Sequence, residues 1–123
     1  MHDPTEGGIA GAIHEMADAS RLGVKIFEDK IRVEPETERI CWFYQIDPLQ
    51  LIASGSLLIA ANPEAAEDVV EALNQRSIVA GIVGEFLSSI ETRLMVDKNG
   101  KVKDLARPIA DHLWQALQNN RTE

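Results

Sequence analysis

Asp3-Pro4-Thr5-Glu6-Gly7-Gly8 runs straight into Ile9-Ala10-Gly11-Ala12-Ile13-His14-Glu15-Met16-Ala17, and how this junction folds governs the rest of the chain. Aspartate, proline, threonine and paired glycines in succession favour a turn. Beyond the turn, Ile9, Ala12, Ile13, Met16 and Ala17 recur at i, i+3, i+4, i+7 and i+8, the spacing of one helical face. The spacing predicts an amphipathic helix that ends at Gly23. Its small residues, Gly8, Ala10, Gly11 and Ala12, weaken helix propensity but let a neighbouring backbone come close.

Working outward, residues 24–27 read as a short strand, Glu28-Asp29-Lys30 as a turn, and residues 31–33 as extended chain stopped before Pro35. Residues 36–44 look helical, with Trp42 and Phe43 expected in the core, and Asp47-Pro48 should cap a short helix over residues 49–52. Ser54-Gly55 breaks the chain ahead of residues 56–61, an apolar run of the length of a buried strand. Asn62-Pro63-Glu64 then supplies a cap, a first-turn proline and an acid, so a helix should span residues 63–75 and bury Ala66, Val69, Val70 and Leu73.

Residues 78–86 form an apolar segment broken by Gly81 and Gly84, the pattern of a strand that another backbone or a ligand approaches closely. Residues 90–96 alternate, and Asp97-Lys98-Asn99-Gly100 is a hairpin turn toward residues 101–103. A last helix is expected around residues 108–118, with Ile109, Leu113, Trp114 and Leu117 facing inward and residues 119–123 frayed. Interspersed helices and strands imply an α/β or α+β domain with a mixed sheet covered by helices. Strand order does not follow from the pattern.

The chain of 123 residues has the size of one domain, and 45% apolar residues suffice for a core. No segment reaches the ~20 apolar residues of a membrane span, and the N-terminus lacks the pattern of a secretory signal, so a soluble, cytoplasmic protein is expected. A formal charge of -8 without a basic patch argues against nucleic acid and anionic membranes as partners. Cys41 is the single cysteine; flanked by Ile40, Trp42 and Phe43, it reads as a small buried hydrophobe.

Few residues suggest chemistry. The glycine-rich opening ahead of a helix N-terminus is a place where backbone N–H groups can hold a phosphate or carboxylate. It carries neither the lysine of a Walker A loop nor a G-x-G-x-x-G pattern, so a plain capped helix packed through its glycines is the competing interpretation. His2, His14 and His112 do not make metal-ligand spacing with Cys41. Ser54, between Ala53 and Gly55, is turn chemistry rather than a nucleophile, and the abundant carboxylates single out no acid–base pair.

Met1-His2-Asp3-Pro4-Thr5-Glu6-Gly7-Gly8-Ile9-Ala10 closely resembles the Asp-Pro-Thr-x-Gly-Gly segment that opens the C-terminal domain of AIR-synthase-related proteins. This ATP-using, PurM-like superfamily includes the hydrogenase-maturation branch, HypE, which is nearest in pattern. Residues 17–26, Asp47-Pro48-Leu49, Ala53-Ser54-Gly55-Ser56-Leu57-Leu58-Ile59, Asn62-Pro63-Glu64-Ala65-Ala66 and Ile82-Val83-Gly84-Glu85 follow in the family's order. The resemblance covers residue 1 to about Asp104.

The resemblance implies that residues 1–123 form a three-layer α/β/α sandwich with a mixed sheet and partial ferredoxin-like character. It also implies an N-terminal ATP-binding domain, absent from this chain, that mediates dimerisation, with ATP and Mg²⁺ serving the full-length parent and no cofactor the isolated domain. The family's glycine-rich segment faces the cleft between the two domains, so a phosphate or substrate role carries over to Asp3, Thr5, Gly7 and Gly8. Glu6 stands where hydrogenase-maturation members commonly have arginine, and the chain ends Asn119-Asn120-Arg121-Thr122-Glu123 where HypE has a cysteine-terminated tail. A HypE-like paralogue is therefore expected: the substrate-side domain of an ATP-dependent synthase or maturation enzyme, inactive alone. The rivals are a non-catalytic regulatory or assembly module and a free-standing ferredoxin-like sensor.

Overall fold

In a computed structural model, described for residues 1–108, 117 and 118, the first helix forms where the spacing placed it, α1 at Gly8–Ser20. It ends not at Gly23 but at Arg21, which adopts the left-handed conformation with its N–H turned back to Asp18 O, while Leu22 N–H returns to Ala17 O. These bonds satisfy carbonyls of the last turn. Gly23 instead begins β1, Gly23–Phe27.

β1 is the centre of a four-stranded mixed sheet of order β2-β1-β3-β4, with β2 at Gly84–Leu87, β3 at Arg93–Val96 and β4 at Val102–Asp104. It pairs antiparallel with β2, Ile26 opposite Gly84, and parallel with β3, Ile26 opposite Met95. β3 and β4 are antiparallel. Alternation decides the faces: Val24, Ile26 and Met95 join Ala10, Ile13 and Ala17 of α1 in the core, completed by Ile31, Leu49 and Leu105. On β1 the alternate residues, Lys25 and Phe27, are half-buried, and the ammonium groups of Lys25 and Lys30 stand 5.5 and 4.9 Å from the Phe27 ring centre.

The β3–β4 hairpin is local turn chemistry. The Asp97 carboxylate accepts from the N–H groups of Asn99 and Lys101, each at 2.9 Å, and these bonds hold its pKa below the ordinary carboxylate value. β2 is shorter than expected: residues 78–83 are not strand, although the Val83 carbonyl accepts from Phe27 N–H of β1 at 2.8 Å. Gly84 nevertheless meets the close approach anticipated for it. A Cβ there would lie 2.4 Å from Lys25 O and 3.0 Å from Ile26 Cα, whereas Gly81 faces open space. Gly84→Ala should therefore push β2 off β1 and destabilise the domain by about 2 kcal/mol, while Gly81→Ala stays within about 0.5 kcal/mol. Parallel denaturant titrations of the two variants check this.

The helices between β1 and β2 follow the sequence in position more than in burial. α2 spans Pro35–Tyr44 and α3 spans Pro63–Gln75, with short 3₁₀ turns at Glu28–Lys30 and Pro48–Gln50. Asp47 caps the second turn as expected, accepting from Leu49 N–H at 3.0 Å. Asn62 makes no side-chain cap; its backbone carbonyl accepts from Ala65 instead.

Trp42 and Phe43 are not core residues: they are 83% and 72% exposed, while Cys41 is buried at 2%. Successive helical residues point about 100° apart, so seating Cys41 toward the Pro48–Gln50 turn carries its neighbours outward. Ala66, Val69, Val70 and Leu73 do share one face of α3, but half-buried, since nothing in α3 is fully buried. Residues 56–61 are not a buried strand; they make one antiparallel bridge, between His2 and Leu58. The helix expected at residues 108–118 lies for the most part outside the described residues, and its Leu117 is 49% exposed.

Candidate functional site: the opening loop and the start of α1

The loop is fixed at both ends. His2 exchanges two backbone hydrogen bonds with Leu58, each 2.8 Å, and its imidazole contacts the Glu15 carboxylate on α1. Pro4 is among the most completely buried side chains, and the Thr5 carbonyl accepts from Gly8 N–H at 3.0 Å. Gly7, with φ +82, is the N-cap, and its carbonyl accepts from Gly11 N–H.

Buried Pro4, Gly7 and Gly8 alternate with exposed residues, so Asp3, Thr5 and Glu6 form a crest at the surface. Four residues were expected to share a ligand-binding role, and the structure divides them. Asp3 and Thr5 are accessible. Gly7 and Gly8 are buried, and the Gly8 N–H already serves Thr5. Gly8 is needed for packing in any case, because its Cβ would sit 2.4 Å from Leu51 O and 2.6 Å from Leu49 O.

The crest is a wall rather than a pocket. A cavity of about 210 Å³ lies beside Ala10, Asp47, Leu49, Gln50 and Lys103, and a broad groove of about 890 Å³ runs along α3 past Lys30 and Ile82; no residue of the crest lines either. Among the described residues, no three His, Cys, Asp or Glu side chains converge as metal ligands would. The described residues by themselves therefore offer no ligand set for a resident Mg²⁺.

Two supporting features escape a sequence reading. His14 is 3% exposed, its Nε2 is 2.9 Å from Leu105 O, and burial lowers its pKa, so the ring is neutral and ties residue 105 to α1. Its signal was the i, i+4, i+7 series Ala10, His14, Ala17, which widens the buried face of α1. At the other end of α1, Asp18 pairs with Arg107 at 2.9 Å and Arg93 at 2.8 Å. Hydrogen bonds from Arg107, then Arg93, lower its pKa from 3.8 to about 2. Both features position α1 rather than perform chemistry. Burial raises the pKa of the Cys41 thiol, which makes it a poor nucleophile.

The described residues form a small α+β domain with an open mixed sheet that carries a clamped glycine loop at the start of its first helix. The chain belongs to the AIR synthase related protein family, C-terminal domain, whose pattern matches residues 1–97. Carbamoyl dehydratase HypE of Rhizobium leguminosarum bv. viciae is 39% identical over 90 residues, 72% of this chain and 26% of that protein. The crystal structure of E. coli HypE superposes with a TM-score of 0.81 at 29% identity, covering 94% of this chain and 36% of that one. A hydrogenase maturation protein HypE in complex with ATP gives a TM-score of 0.78 at 25% identity, with 87% and 35% coverage. The chain thus spans about a quarter of the length of the curated relative it matches.

Proposed function

We propose that this domain is the substrate-side wall of the cleft in an ATP-dependent maturation protein of the HypE type, with Asp3 and Thr5 facing nucleotide phosphate or the activated substrate. The observation that carries this is the exposed Asp3-Thr5-Glu6 crest, held rigid on buried Pro4, Gly7 and Gly8 in a chain similar to an ATP-bound HypE. Rigid presentation matters because a misplaced contact loses most of its effect on rate.

The chemistry suited to such a cleft is dehydration: ATP phosphorylates an amide-type oxygen, and the oxygen departs as phosphate rather than hydroxide. That intermediate survives only where water is excluded, which needs two walls. The isolated domain is therefore inactive, and the parent's N-terminal domain supplies the ATP site, the nucleotide-borne Mg²⁺ and the homodimer contact. Use of ATP by the parent would support a cytoplasmic location. Glu6 beside Asp3 adds negative charge to the crest, which favours a metal–nucleotide complex or a cationic substrate over a bare phosphate.

Asp3→Ala and Thr5→Ala in the parent protein should each lower ATP-dependent turnover at least about tenfold, or ~1.4 kcal/mol in the barrier, without moving the melting midpoint. Full activity in both variants removes the crest from the site and leaves a non-catalytic assembly module. The exposed Ile40, Trp42 and Phe43 of α2 suit that second role. The mass of the native polypeptide separates the two at the outset: more than twice 13.6 kDa supports the two-domain enzyme, and 13.6 kDa sinks it.

A further inference from the structure

We infer that His2 and Glu15 are positioning residues: the imidazole, held by the Glu15 carboxylate on α1, sets the direction in which the Asp3 side chain meets its ligand; this rests on the proposed role of Asp3. Among the described residues the Asp3 carboxylate and the Thr5 hydroxyl make no hydrogen bond or ion pair. Their direction therefore comes from the backbone on either side of them. Downstream the anchor is packing, with Pro4 fully buried and the Thr5 carbonyl accepting from Gly8 N–H at 3.0 Å. Upstream it is His2, the residue next to Asp3.

His2 is held at two points on two different elements. Its backbone pairs with Leu58, which fixes where the residue lies. Its ring reaches Glu15, about two turns into α1, which fixes how the chain leaves it toward Asp3. The second tie has a direction. An ionised carboxylate only accepts, so His2 Nε2–H donates to Glu15, and the plane and tautomer of the ring are set together.

The tie contributes little to holding the fold. The two side chains are 36% and 64% exposed, and an ion pair so open to water adds little to stability. Direction is another matter. A contact of small energetic worth, placed beside a carboxylate that has no support of its own, decides where that carboxylate points, and a misplaced group loses rate far out of proportion to the stability involved. Removing the tie should therefore be seen in turnover and not in the melting midpoint, which separates a positioning role from a structural one.

Two measurements test the proposal. In this 123-residue chain, Glu15→Ala should shift the amide resonances of Asp3 and Thr5 while the melting midpoint stays within about 2 °C. Glu15→Gln, whose side-chain carbonyl also accepts from Nε2–H, should restore them. In the parent protein, His2→Ala and Glu15→Ala should each lower kcat for ATP turnover about fivefold with KM little changed, and neither should lower it further in an Asp3→Ala background. Unmoved Asp3 and Thr5 resonances overturn the proposal, as do losses that add in full to that of Asp3→Ala. A fall of about 10 °C in the melting midpoint overturns it too, by making the tie structural. Reduced turnover in Asp3→Ala with none in His2→Ala or Glu15→Ala sinks the positioning role alone, whereas full turnover in Asp3→Ala sinks the proposed role of the crest and this one with it.

Discussion

Gly8→Ala is expected to abolish the cooperative unfolding transition of this domain or lower its stability by about 3 kcal/mol or more. Two independent costs meet at this residue. Its φ of +64 is left-handed, worth about 1 kcal/mol against any residue with a Cβ. The added Cβ would also lie 2.4 and 2.6 Å from the carbonyl oxygens of Leu51 and Leu49, backbone atoms that move only if the Pro48–Gln50 turn lifts from α1. That turn carries Leu49, 3% exposed in the core, so relieving the clash opens the core. Small domains have only about 5–15 kcal/mol of stability in total. A melting curve within 1 kcal/mol of the parent chain would show that the turn and α1 are not locked together, and Asp3→Ala, at an exposed position, provides the neutral control.

Arg93→Met should cost about 3 kcal/mol, roughly 10 °C in the melting midpoint. The Arg93 side chain is only 15% exposed, and its guanidinium donates to Leu22 O at 2.8 Å, Ile90 O at 2.6 Å and Thr92 O at 3.2 Å besides pairing with Asp18. Methionine fills similar volume but removes this donor from the Leu22 and Ile90 carbonyls at the junction of α1, β1 and β3, while Thr92 O keeps the Val24 N–H. Lysine keeps the charge without the planar fork, so Arg93→Lys should recover only part of the loss.

The Asp18 end of the cluster sets a pH dependence. The folded pKa, about 2, lies below the unfolded 3.8, so its contribution is fully present above pH 4 and disappears as pH falls toward 2. Denaturation midpoints between pH 5 and 2 should fall less steeply for Asp18→Asn than for the parent chain. Parallel slopes would show that the ion pairs with Arg93 and Arg107 do not form.

The local elements were legible because their causes are local. The i, i+3, i+4 series that begins at Ile9 specifies α1, Asn62-Pro63-Glu64 starts α3 at Pro63, and Asp97 through Gly100 dictates the turn into β4. Gly84 was legible as a close approach, though not which backbone would approach it. Trp42 and Phe43 were misplaced because composition says that aromatic residues are usually buried, whereas α2 has one seat in the core and Cys41 occupies it. Residues 56–61 were misread because an apolar run states a willingness to pair and nothing about whether a partner edge exists.

The candidate site divides in the same way. The opening segment identified the crest and its family, because turn residues ahead of a helical face are a short-range pattern. The separation of Asp3 and Thr5 at the surface from Gly7 and Gly8 beneath it was decided by the tertiary structure, since it depends on where Leu49 and Leu51 arrive from forty residues away in sequence. His14 and Arg93 belong wholly to that second level: each acquires its role from carbonyl groups that only the folded chain brings within reach. By itself the sequence determined where α1, α3 and the β3–β4 turn would form; only the tertiary structure decided which apolar segments would pair as strands and which side chains would be buried, because both are properties of neighbours and not of the residue.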